Sequence, residues 1–265
     1  MPEGHTIHRA ARDHARLLRG QPLRVTSPQG RFDGGAACLN GLQLEKVEAY
    51  GKHLFYRWND SSLLHVHLGL FGKFRLHLGD EPPAPQGLVR LRMEGPRGTV
   101  DLSGPTDCSL GSTGDRDQIV ARLGPDPLRR DAEPERFYRR ISRSSAPIGG
   151  LLLDQSVICG VGNVYRAEAL FLCGIDPERP GKEVGDITGQ MLWHTIVAML
   201  KAGVKANRIV TVDRSEIGLP PGARHRNGET TYAYKRRECL RCGSDIRRFE
   251  LANRNCYACP ECQAY

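Results

Sequence analysis

Four of the nine cysteines in this 265-residue chain fall in two C-x2-C pairs, Cys239 with Cys242 and Cys259 with Cys262, with sixteen residues between the pairs. Thiolates at that spacing can close a tetrahedron around Zn2+ when a β-hairpin brings the two knuckles together. So short a segment buries too little apolar surface to fold unaided, and the metal would supply much of its stability. Cys256 and Cys259 form a rival pair, but that choice strands Cys262, so Cys256 is read as a buried or incidental thiol. The scattered Cys38, Cys108, Cys159 and Cys173 read as packing residues. His65 and His67 would share one face of a strand and could bind a metal. The sequence offers no third ligand nearby, and a structural or solvent-facing role is expected for them.

Pro2 offers different chemistry. A small second residue permits removal of the initiator Met1, which would expose the secondary amine of Pro2. An α-amino group titrates at about pH 8, well below a lysine ammonium, so part of it is unprotonated at neutral pH. Such an amine can attack a sugar C1′ and form an iminium. Glu3 beside it can carry protons to and from the ring. Taken alone, this pair is also what an ordinary surface terminus carries.

These residues need elements to hold them. Residues 5–19 read as a helix, with Ile7, Ala11 and Leu18 on one face and Gly20 stopping it. From 42 to about 102 the apolar period becomes two, clearest where Leu64, Val66, Leu68 and Leu70 alternate with His65, His67 and Gly69. Similar runs at 53–58, 73–78, 88–93 and 99–102 predict an antiparallel sandwich with one buried face per strand. The stretch 104–135, rich in Gly, Asp, Pro and Arg, reads as an interdomain hinge. Helical periodicity then returns at 148–157, 163–172 and 188–202, the last with Gly203 past its end. A polar, basic loop at about 211–229 leads to the cysteine-rich tail. The fold class is therefore α+β in two domains: an N-terminal helix with a β-sandwich, then a helical domain bearing a zinc-finger hairpin. The boundaries expected are 1–120, 121–235 and 236–265.

Net charge is +8. The segment 201–265 holds thirteen lysines and arginines against seven acidic residues, so most of the excess lies at that end. A basic end suits a polyanion such as nucleic acid, and a plain solubility surface fits equally well. Nothing approaches the ~18 apolar residues of a membrane span, and the start lacks a signal-peptide layout. Together with unpaired cysteines, this places the chain in a reducing cytoplasm, nucleoid-associated if bacterial, as a monomer.

Several motifs in order resemble the formamidopyrimidine-DNA glycosylase/endonuclease VIII family, nearly end to end. They are Pro2-Glu3-Gly4, Gly51-Lys52, Leu123-Gly124-Pro125-Asp126-Pro127-Leu128, and Leu152-Leu153-Asp154-Gln155 followed by Gly160-Val161-Gly162-Asn163. Arg254, ahead of the last knuckle, completes the set. The resemblance implies a helix–two-turn–helix domain and a bifunctional glycosylase/AP lyase with one structural Zn2+. Pro2 would be the nucleophile and Glu3 the acid/base. Lys52 would meet a phosphate or donate a proton during elimination. Asn163 would grip backbone phosphate at a helix start, and Arg254 would hold the phosphate beside the lesion and assist δ-elimination. Leu70 matches the position of an apolar wedge that fills the stack after nucleotide extrusion, where the bland reading is a core leucine. The partner implied is double-stranded DNA with a damaged base or abasic site.

Endonuclease VIII-type members favour oxidised pyrimidines, and the Met-Pro-Glu-Gly start leans that way. So does Arg122, which falls where that class carries a DNA-contacting arginine, and no Arg-x-Phe purine-type wedge occurs between 101 and 114. Departures from the pattern are Thr6 in place of a glutamate, Gly149 in place of a lysine, Gly69 in place of a wedge glutamine and Cys256 in place of a threonine. Gly69 implies a thinner wedge and tolerance of single-stranded or bubble DNA. The reading is an enzyme for oxidised pyrimidines acting through a Pro2 Schiff base and β,δ-elimination. The alternatives are the same chemistry on oxidised purines, or a zinc-finger DNA binder without chemistry.

Overall fold

Apolar residues at helical spacing put Ile7, Ala10, Ala11, Leu17 and Leu18 on the buried side of the first helix, α1 (Gly4–Leu18). It is followed by β1 (Arg24–Thr26), α2 (Asp33–Leu39), β2 (Leu44–Tyr50), β3 (His53–Trp58), β4 (Leu63–His67) and β5 (Lys73–Leu78). Then come β6 (Val89–Gly95), β7 (Gly98–Ser103), β8 (Asp107–Gly111) and α3 (Thr113–Ala121). This computed structural model describes residues 2–79, 81–220, 223, 225 and 229–263. Met1, and with it the expectation that it is removed, lies outside the described residues, as does part of the 211–229 loop. The chain divides into two compact units, Met1–Arg122 and Leu123–Tyr265.

In the first unit the strands form two antiparallel four-stranded sheets, ordered β1-β6-β7-β5 and β2-β3-β4-β8. Leu54, Tyr56, Leu64 and Val66 from one sheet share a core with Leu91, Met93, Val100 and Leu102 from the other, together with the apolar side of α1. This is the expected helix-plus-sandwich.

Three local expectations are corrected. The stretch 104–135 is not simply a hinge, because it supplies β8 and α3. Ser112 starts α3 with a capping box: its hydroxyl accepts from the Asp115 amide, and the Asp115 carboxylate accepts from the Ser112 amide. That pairing overrides a loop-like composition. The alternating run 64–70 ends at His67, because Gly69 turns the backbone to φ 65°. Leu70 consequently leaves the core and is 49% exposed. Strand β4 is also covered on both faces rather than one, with His65 only 8% exposed.

The second unit contains α4 (Pro134–Ser142), α5 (Ile148–Leu151), α6 (Asn163–Leu172), α7 (Asp186–Ala206) and a hairpin of β9 (Arg247–Leu251) with β10 (Arg254–Ala258). Phe137, Ile141, Leu170, Leu192, Trp193, Ile196 and Leu200 make its helical core. The helix expected over 148–157 stops after one turn. Gln155 spends its side chain on the backbone, donating to the carbonyls of Leu153 and Val161 and accepting from the Gly160 amide. Asp154 likewise accepts from the Ser156 amide. Such side-chain bonds compete with helix propagation and build the two turns before α6. Helix α7 runs past Gly203 and ends instead at Asn207, whose left-handed φ of 55° suits an asparagine cap. The cysteine-bearing hairpin rests on α6, because Ile246 and Tyr257 join Ala167, Phe171 and Tyr232 in one apolar cluster.

Candidate active site and metal centre

In the first unit Pro2 is half-buried and precedes Glu3, which is fully buried at the N-cap position of α1. The Glu3 carbonyl accepts from the Thr6 amide at 2.9 Å, so the first helical turn fixes the Glu3 backbone. His5, on the same turn, is buried, and that burial pushes its imidazole down to about 4, leaving it neutral at physiological pH. Lys52 sits with Gly51 in the two-residue turn joining β2 to β3, where Tyr50 pairs with His53. Gly51 has φ 56°, the left-handed conformation that the first position of such a tight turn requires.

Leu70 projects from the turn after β4, closed by the Gly72 amide on the Leu68 carbonyl at 3.0 Å. Phe71 beside it is 86% exposed, so the turn displays two large apolar side chains. A Cβ at Gly69 would meet the Thr106 hydroxyl at 1.8 Å, so this backbone leaves no room there for a longer residue. Arg122 is exposed at the C-cap of α3, its Nε donating to the Gln118 carbonyl.

In the second unit Asn163 opens α6 and is 9% exposed. Its carboxamide is engaged: Nδ2 donates to the Asn255 carbonyl at 3.0 Å and Oδ1 accepts from Arg166. Arg166, fully buried, also donates to the carbonyls of Leu251 and Asn255. One helical turn therefore grips the hairpin on which Arg254 begins β10, exposed, just after the left-handed pair Ala252 and Asn253. Two residues on, buried Glu168 accepts from the amides of Tyr232, Ala233 and Tyr234 and from the Thr211 hydroxyl. Burial pushes its carboxyl pKa up, and these four donors oppose that shift. Arg166 and Glu168 were not singled out in the sequence; the only signal was two charges on the inward side of an otherwise apolar helix.

The sulfurs of Cys239, Cys242, Cys259 and Cys262 lie within 4.8 Å of one another, the one such cluster of metal-ligating groups among the described residues. Cys242 to Cys259 is 3.4 Å and Cys239 to Cys262 is 3.9 Å. Four sulfurs at ~2.3 Å from one zinc would be about 3.8 Å apart, so the set fits a single tetrahedral ion. Gln263 braces the second knuckle, accepting from the Cys259 amide and donating to the Ile175 carbonyl. Cys256 is buried in β10 and stands outside the cluster.

Comparison with known proteins decides the family. Residues 1–104 match the model of the formamidopyrimidine-DNA glycosylase N-terminal domain, and 123–215 that of the formamidopyrimidine-DNA glycosylase H2TH domain. The chain belongs to the formamidopyrimidine-DNA glycosylase/endonuclease VIII family. It is 46% identical to "Endonuclease 8 1" of Mycobacterium tuberculosis, covering 99% of this chain and 100% of the relative. It is 31% identical to formamidopyrimidine-DNA glycosylase of Thermus thermophilus, covering 99% and 97%. The fold overlays that of Lactococcus lactis Fpg, solved in complex with abasic-site DNA, with a TM-score of 0.81 at 23% identity, covering 99% and 100%. The chain is thus a DNA glycosylase/AP lyase of base-excision repair.

Set within this family, the departure at Gly149, like that at Gly69, has a packing cause. A Cβ at Gly149 would lie 2.8 Å from Leu251 of the hairpin and 2.9 Å from the Pro177 carbonyl, space that is already filled. Among the described residues no helix is long and apolar enough to cross a membrane.

Proposed function

We propose that this enzyme excises oxidised pyrimidines from double-stranded DNA and cleaves the resulting abasic site through a Schiff base on Pro2. The observation that carries the lesion class is the whole-length 46% identity to an endonuclease 8, against 31% to a formamidopyrimidine-DNA glycosylase. The Pro2 amine attacks C1′ of the extruded nucleotide, and the base departs with the bonding pair, taking a proton. Buried Glu3, fixed beside Pro2, serves as the proton carrier for that step and for ring opening. The resulting iminium acidifies the C2′ hydrogen. Loss of that proton expels the 3′ phosphate, and a second elimination expels the 5′ phosphate.

Lys52, on its tight turn, would meet a phosphate or deliver a proton to a leaving oxygen. Leu70, exposed beside Phe71, would fill the vacated stack. In the second unit Arg254 and the amides at the start of α6 supply phosphate contacts, with Asn163 and Arg166 holding the hairpin that carries Arg254. Arg122 would add a further DNA contact. Zn2+ on Cys239, Cys242, Cys259 and Cys262 would be structural and would fix the hairpin.

Single-turnover nicking of 5-hydroxyuracil and 8-oxoguanine duplexes, side by side, tests the lesion class. Faster cleavage of the pyrimidine lesion is expected. Faster cleavage of 8-oxoguanine would overturn it and leave the purine alternative.

A further inference from the structure

The outward face of sheet β2-β3-β4-β8 gathers three imidazoles that the sequence did not bring together. Register places Tyr50, His53, His67 and Asp107 in one row across the four strands, and Glu48, Phe55, His65 and Ser109 in the next. His65 Nδ1 lies 3.0 Å from an Asp107 carboxylate oxygen. His65 Nε2 lies 2.9 Å from His53 Nδ1, with the two rings stacked 5.1 Å apart. The His67 ring is 4.9 Å from that of His53.

Hydrogen-bond logic orders this chain. A carboxylate can only accept, so His65 donates from Nδ1; its Nε2 must then accept from His53 Nδ1–H. His53 is then unprotonated at Nε2. Both nitrogens of His65 are therefore occupied, and His53 and His67 alone do not make a metal site. Burial lowers all three imidazoles, His53 to about 3, and the neighbouring histidines and Lys52 oppose its protonation further. Other charged or titratable groups facing the cluster are Glu48 and Tyr50 from β2 and Arg116 from α3, which is paired with Glu48 and Asp117. Asp107 is the carboxylate bonded to an imidazole, and Lys52 is the cation beside His53 and His67.

We propose that Asp107, His65 and His53 form a proton relay that takes up one proton when a DNA phosphate is held at the Lys52 turn. The proposal rests on the reading of the chain as a DNA-binding repair enzyme and deepens it. A proton from solvent bonds to His53 Nε2. The His53 Nδ1–H bond breaks as that proton passes to His65 Nε2. The positive charge comes to rest on His65, against the Asp107 carboxylate, and His53 is left neutral in its other tautomer. His53 Nε2 thereby changes from acceptor to donor and can hydrogen-bond the phosphate. A phosphate triggers the change because it cancels the field of Lys52 and attracts the proton. Asp107 and His65 are positioning residues in this scheme.

Two measurements on the full-length protein test it. Long-range 1H–15N spectra of the imidazoles in the DNA-free enzyme should show His65 and His53 both protonated on Nδ1. Calorimetry at neutral pH should follow binding of a duplex carrying tetrahydrofuran, an uncleavable abasic analogue, in two buffers of different ionisation enthalpy. Net proton uptake is expected for the wild type. Asp107→Asn should lose it, because an amide can donate to His65 and reverse the chain. His53→Gln, at a half-buried position, should lose it too. A wild-type His65 protonated on Nε2, or equal uptake by wild type and both variants, would overturn the relay. Failure of the wild type to bind the duplex would instead contradict the repair reading, and the tautomers would still decide the relay.

Discussion

The two units bury polar groups in opposite ways. In the N-terminal unit the polar residues within the core are largely neutral: His14, fully buried, is bonded through Nδ1 to the Tyr56 hydroxyl at 2.7 Å. Burial holds His14 down at about 3 and pushes Tyr56 well up, so neither ionises at neutral pH. Apart from Glu3 at the candidate active site, the buried charges there are Arg92 and Asp101, which meet each other in a bidentate pair at 2.7 Å. In the C-terminal unit, Arg166 and Glu168 are buried against backbone carbonyls and amides. Away from the candidate active site, the sandwich core holds its charges as that one pair among the described residues. The tail of the C-terminal unit is held by an apolar cluster together with charge-to-backbone bonds.

The sharpest way to break this contrast is to remove the Zn2+ proposed for the four cysteines. Chelation, or Cys259→Ser, should melt the β9–β10 hairpin while the sandwich stays folded, since a structural zinc contributes on the order of 10 kcal/mol. Hydrogen exchange would read this as loss of protection at β9 and β10 amides alone; retained protection would refute a metal-held hairpin. Next in size is Glu168→Ala, which strands three buried amides and should destabilise the C-terminal unit by about 3–5 kcal/mol in denaturant unfolding. A loss no larger than that of an exposed ion pair would mean that the tail is held by something else.

The smallest effect is the acid sensitivity of the N-terminal unit. His14 has a folded pKa depressed below its unfolded value of about 6.5, so below that pH the unfolded chain binds the extra proton. Stability should fall as pH drops below about 6.5, by about 1 kcal/mol over the first pH unit for this one group. His14→Phe should flatten that slope in urea titrations. An unchanged slope would show that His14 is not the group responsible.

What could be read from sequence divides along the same line. Alternation at Leu64 and Val66, and helical spacing at Leu192 and Ile196, announce burial directly, because apolar period reports which side faces a core. Cysteine spacing announced the four-sulfur cluster for a similar reason: ligand chemistry is local. Arg166 and Glu168 were invisible because their partners are backbone groups up to 89 residues away, which no side-chain pattern encodes. The third imidazole beside His65 was missed because His53 lies on the next strand, and register is a tertiary fact. The truncation of α5 at Leu151 and the capping of α3 by Ser112 each turned on a few side-chain-to-backbone bonds that composition does not reveal.

In the proposed mechanism the nitrogen of Pro2 bonds to deoxyribose. Borohydride reduction during reaction with an abasic-site duplex, with the adduct mapped by mass spectrometry, tests it directly. A covalent protein–DNA species attached at Pro2 is expected, absent in Pro2→Gly, while that variant still binds the duplex. Trapping at full yield in Pro2→Gly, or an adduct mapped to any other amine, would contradict it.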